Sequence, residues 1–556
     1  MRFASRQFCV ALILSGFLFG CFALSPIEAQ NKPFQLPLAD PASPSTWLLG
    51  QPYGNTLGAY LNADNWYEAG QGLHFGIDFS MPCRTPIVAI GAGEVLFVDD
   101  LGFGSAPHNL LIRHPDVGVV SLYGHLYERS PLNPGDQVAQ GQVIGESGDP
   151  DLSCDSRPHL HLEIRSLDYL TAYNPVDYIE ANWHNLSLIG QFTYPPFQQD
   201  LDNARQWTTI TDQPSVAFGG RRLNDYAATY PDWSNIAPPN PPLFHDPLPP
   251  AAAWTQTRLT FDGCCANAWW DESQPGRLYV IDGTEGQRAG IFEWDTLTNS
   301  LVNLIGQAPP PPHSPDGHYT LARSGDLTEI RRIEDGLRWE ADTHGAMPAL
   351  STDNSRLLWI EDSDQSTPEG DPVSEVWVSD ADGNNARPIA IESGLAARWL
   401  DDTRFLISRR VGLTTTLAVF DTITNQPFVL GAWDRVRGLT VAPGGGRIMF
   451  YLVSQTDSAQ NGIYAIETRA GAEPQHMDWF GAWRWRDAES VYTIPFDPLS
   501  AQQSLHLYNL ATGVDTLLID QALAVADGDW SVSADGTQIA YRNNRDLTLW
   551  LAQGRN

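Results

Sequence analysis

The chain has 556 residues, 42% of them apolar, which is enough for two or three domains with full-sized cores. Its formal charge of −33, from 33 basic and 66 acidic residues, and its single lysine, Lys32, leave no electrostatic footprint for nucleic acid or anionic lipid. Lys32 stands in Asn-Lys-Pro and not in a Gly-Lys pair, which excludes P-loop chemistry, and neither an H-E-x-x-H helix nor a G-x-S-x-G elbow occurs.

Arg2 and Arg6 precede an uncharged run at 8–27, the basic and apolar regions of a secretory signal, with a cut expected after Ala29. Leu18-Phe19-Gly20-Cys21 offers an alternative, a lipoprotein box with the signal ending before Cys21. An uncleaved anchor ranks third, because its apolar core is shorter than the ~20 residues a spanning helix needs. The expectation is an extracytoplasmic protein, secreted or associated with the cell envelope, that touches membrane only through a leader helix or a lipid anchor.

Residues 30–45 hold four prolines and no apolar periodicity, which predicts an extended tether. Residues 46–183 form a β-rich block with short Val, Ile and Leu runs at 86–90, 93–98, 109–113, 119–122 and 159–165, separated by Gly, Pro and Asp. Residues 184–250 drift to Pro, Asn and Asp, with proline clusters at 238–242 and 249–250, and read as a connecting segment. Beyond the leader, the even set Cys83, Cys154, Cys264 and Cys265 suits an oxidising compartment. A Cys83–Cys154 bridge is expected, with two buried thiols as the alternative. The adjacent Cys264 and Cys265 are expected as buried thiols, since neighbours cannot close an ordinary unstrained disulfide.

From 251 to 556 a turn followed by an apolar strand recurs at Asp271, Asp316, Asp353, Asp401, Gly444, Asp487 and Asp535, at intervals of 37–48 residues. Seven units over this stretch give about 44 residues each, the span of a four-stranded propeller blade, whereas six would need about 51. Seven is therefore predicted, with six as the alternative. Two units continue into Asp295-Thr-Leu-Thr298 and Asp421-Thr-Ile-Thr424 turns, and the set resembles TolB-type and WD-like repeats. A strand near 257–261 is expected to close the ring with the last unit, removing an open sheet edge.

Four segments of the first block carry the chemistry: Gly72-Leu-His74-Phe-Gly-Ile-Asp78, Leu122-Tyr-Gly-His125, the Gly-rich run from Gly135 to Gly145, and Pro158-His159-Leu-His161-Leu-Glu163. In a strand His159 and His161 share a face ~7 Å apart, so one suits a metal and the other the space beside it. His74 and Asp78 would stand ~13 Å apart on a straight strand and can share an ion only if the chain bends, which Gly76 favours. Two histidines, an aspartate and one open position are what a catalytic zinc requires.

The constellation resembles the lysostaphin-type (LytM) zinc metalloendopeptidases over about residues 46–179. The resemblance implies one zinc ion on His74, Asp78 and His161, with His125 and His159 beside it as general base or oxyanion stabilisers. Glu163 shares the His161 face and is a candidate partner behind it. His108 and His114 fall on no ligand position and are expected to be structural.

The expected architecture is all-β in two domains, an antiparallel LytM-type peptidase at 46–183 and a β-propeller at 251–556. The expected function is an exported zinc endopeptidase acting on peptidoglycan stem peptides or cross-bridges, its propeller binding a protein or glycan for targeting. Two alternatives stand beside it: a non-catalytic envelope scaffold or activator that binds peptide and partner proteins, and a metalloprotease acting on secreted proteins.

Overall fold

The computed structural model describes residues 32–189, 196–200, 202–225, 254–260, 263–271, 276–283, 289–298, 300–305, 314, 318–368 and 372–554. The leader, with Cys9, Cys21 and both processing sites, and the proline clusters at 238–250 lie outside the described residues.

The first block is built on strands β1 (Leu48–Leu49), β2 (Ile77–Ser80), β3 (Pro86–Val88), β4 (Gly93–Val98), β5 (Leu110–His114), β6 (Val119–Gly124), β7 (Gln137–Val138), β8 (Val143–Glu146), β9 (His159–Arg165), β10 (Thr171–Tyr173) and β11 (Val216–Ala217). The main sheet runs β1-β2-β9-β6-β5-β4-β7, with β10 joining β9 to β11, while β3 and β8 pair apart. Strand β9 explains how this sheet serves a site. Its alternation sends Leu160, Leu162 and Ile164, all fully buried, into the core, and turns His159, His161, Glu163 and Arg165 to the other face. Its neighbour β2 does the same with Ile77 and Phe79 inward and Asp78 on the opposite face.

The segment expected to be a tether is instead packed. Phe34, Leu38 and Ala42 are buried in the same core, and Phe34 exchanges backbone hydrogen bonds with Tyr178 and Glu180. Proline extends such a segment without preventing it from covering a sheet, and these apolar side chains supply the reason to stay.

Cys83 and Cys154 are paired as a disulfide across 71 residues of chain. Replacing both with alanine is expected to lower stability by about 2–4 kcal/mol, mostly by freeing the unfolded chain. Denaturant titration of the oxidised protein against the double variant checks this, and coincident curves would contradict it. Cys264 and Cys265 lie with their sulfurs against each other. Both residues are buried, as anticipated.

The second half is a ring of seven antiparallel sheets, six of four strands and one, at 319–342, with three among the described residues. The recurring turns precede the strands at 277–282, 356–366, 404–411, 447–452, 490–495 and 538–543, the second strand of each sheet. Strand β12 (Trp254–Arg258) pairs with the last strand, Leu549–Gly554, so the two ends of the ring close one sheet. The Asp-x-x-Thr repeats are turn devices: one carboxylate oxygen of Asp295 accepts from the amides of Leu297 and Thr298, and Asp421 does likewise for Ile423 and Thr424.

The two halves share interior. Leu48, Leu188 and Ile189 pack with Met449, Tyr451 and Val453 of the propeller in one cluster. Buried Asp527 receives His184 and the amide of Ile210, and Arg205 forms a two-pronged pair with Asp282. The connecting segment is therefore a clamp rather than a loose linker over its described residues.

Candidate metal centre

His74 stands just before β2, held by two backbone hydrogen bonds with Gly54. Its Nδ1 lies 2.7 Å from the carbonyl oxygen of Pro52, which can only accept, so Nδ1 carries the hydrogen and Nε2 presents a lone pair. The chain bends at Gly76 before the strand begins. A Cβ there would come within 2.6 Å of the His161 ring and 2.8 Å of the Leu162 carbonyl, so glycine lets the neighbouring strand place its histidine against the bend.

Register does the rest. Asp78 on β2 lies opposite His161 on β9, and Gly124 at the end of β6 lies opposite His161 on the other side. Nδ1 of His161 is 2.8 Å from Oδ1 of Asp78 and 3.2 Å from Nε2 of His74, and that Nε2 is 3.4 Å from the same Oδ1. On the far side of the ring, Nε2 of His161 sits 3.2 Å from Oε1 of Glu163, which is fully buried and ion-paired to Arg165.

This donor set fits a divalent cation. With its Nε2–H donated to Glu163, His161 offers the Nδ1 lone pair, so two nitrogen lone pairs and a carboxylate oxygen converge with all three ligand atoms within 4.8 Å of one another. A single proton can satisfy one such contact and leaves the others repulsive, whereas one metal ion satisfies all three. The electrostatics agree. Burial would raise the Asp78 carboxyl, but His74, His159 and His161 outweigh it and hold it well below the ordinary value. Burial would lower His161, yet its hydrogen bonds to Asp78 and Glu163 hold it up at about 9, so the ion-free ring carries a second proton that a bound cation would displace from Nδ1.

His125 follows β6 in a left-handed backbone conformation, φ 55°, which turns its ring back over the sheet. Its Nδ1 is hydrogen-bonded to the carbonyl of Ala106, and that of His159 donates to the carbonyl of Arg157 at 2.6 Å. Both rings therefore present Nε2 with a free lone pair, stacked at a tilt with centroids 4.7 Å apart, and Nε2 of His159 is 3.7 Å from Asp78. Burial, then the neighbouring His159 and His161, push His125 down to about 3.

These five side chains line one cleft of about 610 Å³. The structure thus brings His74, Asp78 and His161 together, places His125 and His159 beside them, and sets Glu163 behind His161. His108 is instead tied to Asp99, and His114 is buried between the Ala92 carbonyl and Ser121. Sequence reasoning missed five contributors. Arg165 could have been found, since it shares the face of Glu163 two residues on. Tyr67, whose ring meets His74 edge-on at 5.6 Å, sits in an irregular turn with no pattern. The propeller residues Arg437, Tyr451 and Val453 also line the cleft, and nothing local to them signals it.

Residues 72–177 match the model of a family described as Peptidase family M23. The chain is 27% identical over 267 residues to lysostaphin of Staphylococcus simulans, an overlap of 47% of this chain and 48% of that protein. It is 39% identical over 94 residues to DD-carboxypeptidase/endopeptidase Mpg of Neisseria meningitidis serogroup B, covering 17% of this chain and 20% of that one. Among solved structures it is similar to the catalytic domain of lysostaphin from Staphylococcus simulans, with 27% identity, a TM-score of 0.19, and coverage of 23% of this chain and 90% of that one. The chain spans about half the length of the lysostaphins it matches, 48% and 49%.

Proposed function

Residues 72–177 are a Peptidase family M23 domain, and from that premise we propose that the protein is an exported zinc metalloendopeptidase that hydrolyses peptide bonds in peptidoglycan. The observation that carries this reading is the convergence of three ligand atoms within 4.8 Å, beside two imidazoles whose Nε2 atoms are free to work. His74, Asp78 and His161 would hold the zinc, which when bound supplies a Lewis acid that polarises an amide carbonyl and makes water a stronger acid. The names of the similar proteins, an antimicrobial peptidase and a DD-carboxypeptidase/endopeptidase, support a cell-wall peptide as substrate and an extracytoplasmic site of action.

The protein's own groups divide the remaining work. His125 and His159 have Nδ1 occupied by backbone carbonyls, so each can take or return a proton only at Nε2, the nitrogen that faces the cleft. The low basicity of His125 favours the neutral ring at working pH, whose Nε2 accepts a hydrogen bond and can donate one only after it has taken a proton. Glu163, clamped by Arg165, holds the His161 ring in one orientation and tautomer.

Replacing His125 with alanine is expected to lower kcat/KM by about 10²–10⁴-fold while zinc stays at one ion per chain. Steady-state hydrolysis with metal analysis of the same sample checks both halves, and loss of zinc from this variant would move His125 into the ligand set. The function itself is tested by incubating purified sacculi with the full chain and weighing the released fragments by mass spectrometry. Paired new amino and carboxyl termini within stem peptides or cross-bridges are expected. Intact sacculi alongside cleaved secreted proteins would replace the substrate, and no cleavage of either would end the hydrolase reading.

A further inference from the structure

The metal cluster accounts for the carboxylate in the cleft but not for its cations. Apart from histidines, the charged side chains lining the cleft are Asp78, Arg157 and Arg437. Arg157 lies over the Trp66 ring at 4.5 Å, and Arg437 projects, exposed, from the propeller strand Val436–Val441. Among the described residues neither guanidinium is within ion-pair distance of a carboxylate, in a chain where acidic residues outnumber basic ones two to one, 66 to 33. Arg410 stands close enough to Arg437 for the two like charges to oppose each other, and both line a smaller hollow that opens beside Ser80 and Pro158. Arg435, by contrast, is occupied: it donates to the carbonyls of Ser454 and Cys154, with the carboxylates of Asp434, Asp155 and Asp149 nearby.

The blade that carries Arg437 is fixed to the peptidase block rather than hung beside it. The amide of Ser454 donates to the Pro44 carbonyl at 3.1 Å, Asn461 donates to Ser45 at 3.0 Å, and Leu48 shares a buried cluster with Tyr451 and Val453. A rigid wall bearing unpaired guanidinium groups next to a cation site is repulsive when empty and attractive to one kind of ligand.

We propose that this propeller blade is part of the substrate site, and that Arg437, with Arg157 of the same cleft, binds a carboxylate of the peptide being cleaved. The inference rests on the peptidase reading above but asks more of it: the propeller does not merely deliver the enzyme, it selects acid-bearing peptides over neutral ones. A planar carboxylate suits a guanidinium fork, which can grip both oxygens, and Arg410 behind Arg437 adds to the pull without touching the ligand.

Binding and hydrolysis are read separately. The full chain, stripped of metal so that no turnover occurs, is co-sedimented with three preparations of sacculi: untreated, freed of phosphate polymers by hydrofluoric acid, and with carboxylates converted to amides by carbodiimide and ammonia. The expected result is unchanged binding after phosphate removal and at least about 10-fold weaker binding after amidation. Arg437→Glu should bind untreated sacculi about 10-fold more weakly than the natural chain and amidated sacculi equally, while Arg437→Lys keeps part of the preference. The Arg437 side chain makes no hydrogen bond among the described contacts, and thermal melting of each variant verifies the fold. Equal binding to free and amidated sacculi, binding lost with the phosphate, or an Arg437→Glu form that keeps the natural preference would each overturn the proposal. Hydrolysis of untreated sacculi by the zinc-loaded chain, run in parallel, tests the peptidase reading: absent hydrolysis with an intact charge preference refutes that reading and leaves the anion site standing.

Discussion

Replacing His161 with alanine is expected to reduce bound zinc from one ion per chain to none and hydrolysis by at least about 10³-fold. His161 is the centre of the cluster. It lies in register with both neighbouring strands of the main sheet, with Asp78 opposite on β2 and Gly124 opposite on β6. Its Nδ1 is within 3.2 Å of both other ligands, so its loss leaves His74 and Asp78, a bidentate remnant that cannot complete a tetrahedral site. The effect on activity follows because the Lewis acid is lost along with the group that positions it. Metal analysis and sacculus clearing, measured on the same preparation, check the prediction. The fold should survive, since this face of β9 is turned away from the core, and a melting curve that matches the natural chain after metal removal distinguishes lost metal from lost structure. Full activity in the alanine form would remove His161 from the site.

The second large effect falls on stability. Glu163 is fully buried, accepts from Nε and Nη2 of Arg165, and receives Nε2 of His161. The Arg165 guanidinium is almost as deeply buried, donates also to the Phe103 carbonyl and covers the Phe218 ring at 4.2 Å. Burial raises the Glu163 carboxyl, but the Arg165 charge and His161 outweigh it, so the group is held below its ordinary value and stays ionised. Glu163→Ala strands the arginine charge and is expected to cost about 3–5 kcal/mol. Zinc affinity should fall as well, by about 10–100-fold, because the tautomer of His161 is no longer imposed. The sign with pH is fixed by the depressed pKa: the contribution is present at neutral pH and is lost as pH falls through the native carboxyl value. Chemical denaturation at pH 7 and at acid pH, natural chain against variant, reads the difference, which should shrink on acidification. A variant as stable as the natural chain at pH 7 would show that Arg165 finds another partner.

Much of this was legible in residue order, for reasons that differ by element. Strand β9 could be read in full because alternation has a period of two and its apolar residues, Leu160, Leu162 and Ile164, fall on every second position. The ring of seven followed from turn spacing, since each unit must supply its own four strands, and the Asp295 and Asp421 turns mark the hairpins. Gly76 made a bend between His74 and Asp78 plausible, while their pairing as ligands came from the resemblance to the lysostaphin-type enzymes.

What escaped detection depends on contacts between distant parts. Phe34 and Leu38 were hidden by the surrounding prolines, whose extended backbone says nothing of what the side chains meet. Arg437 looks like any strand residue of a blade. Its importance comes from the docking of Leu48 against Tyr451 and Val453, which turns that blade toward the cleft.

The most direct test of the metal centre is an anomalous-difference map of crystals of the full chain, collected at the zinc absorption edge. One strong peak is predicted at ~2.0–2.2 Å from Nε2 of His74, a carboxylate oxygen of Asp78 and Nδ1 of His161, with its remaining side open to the cleft. A map with no peak among these three side chains, or with the peak closed off by a fourth protein ligand, would contradict it.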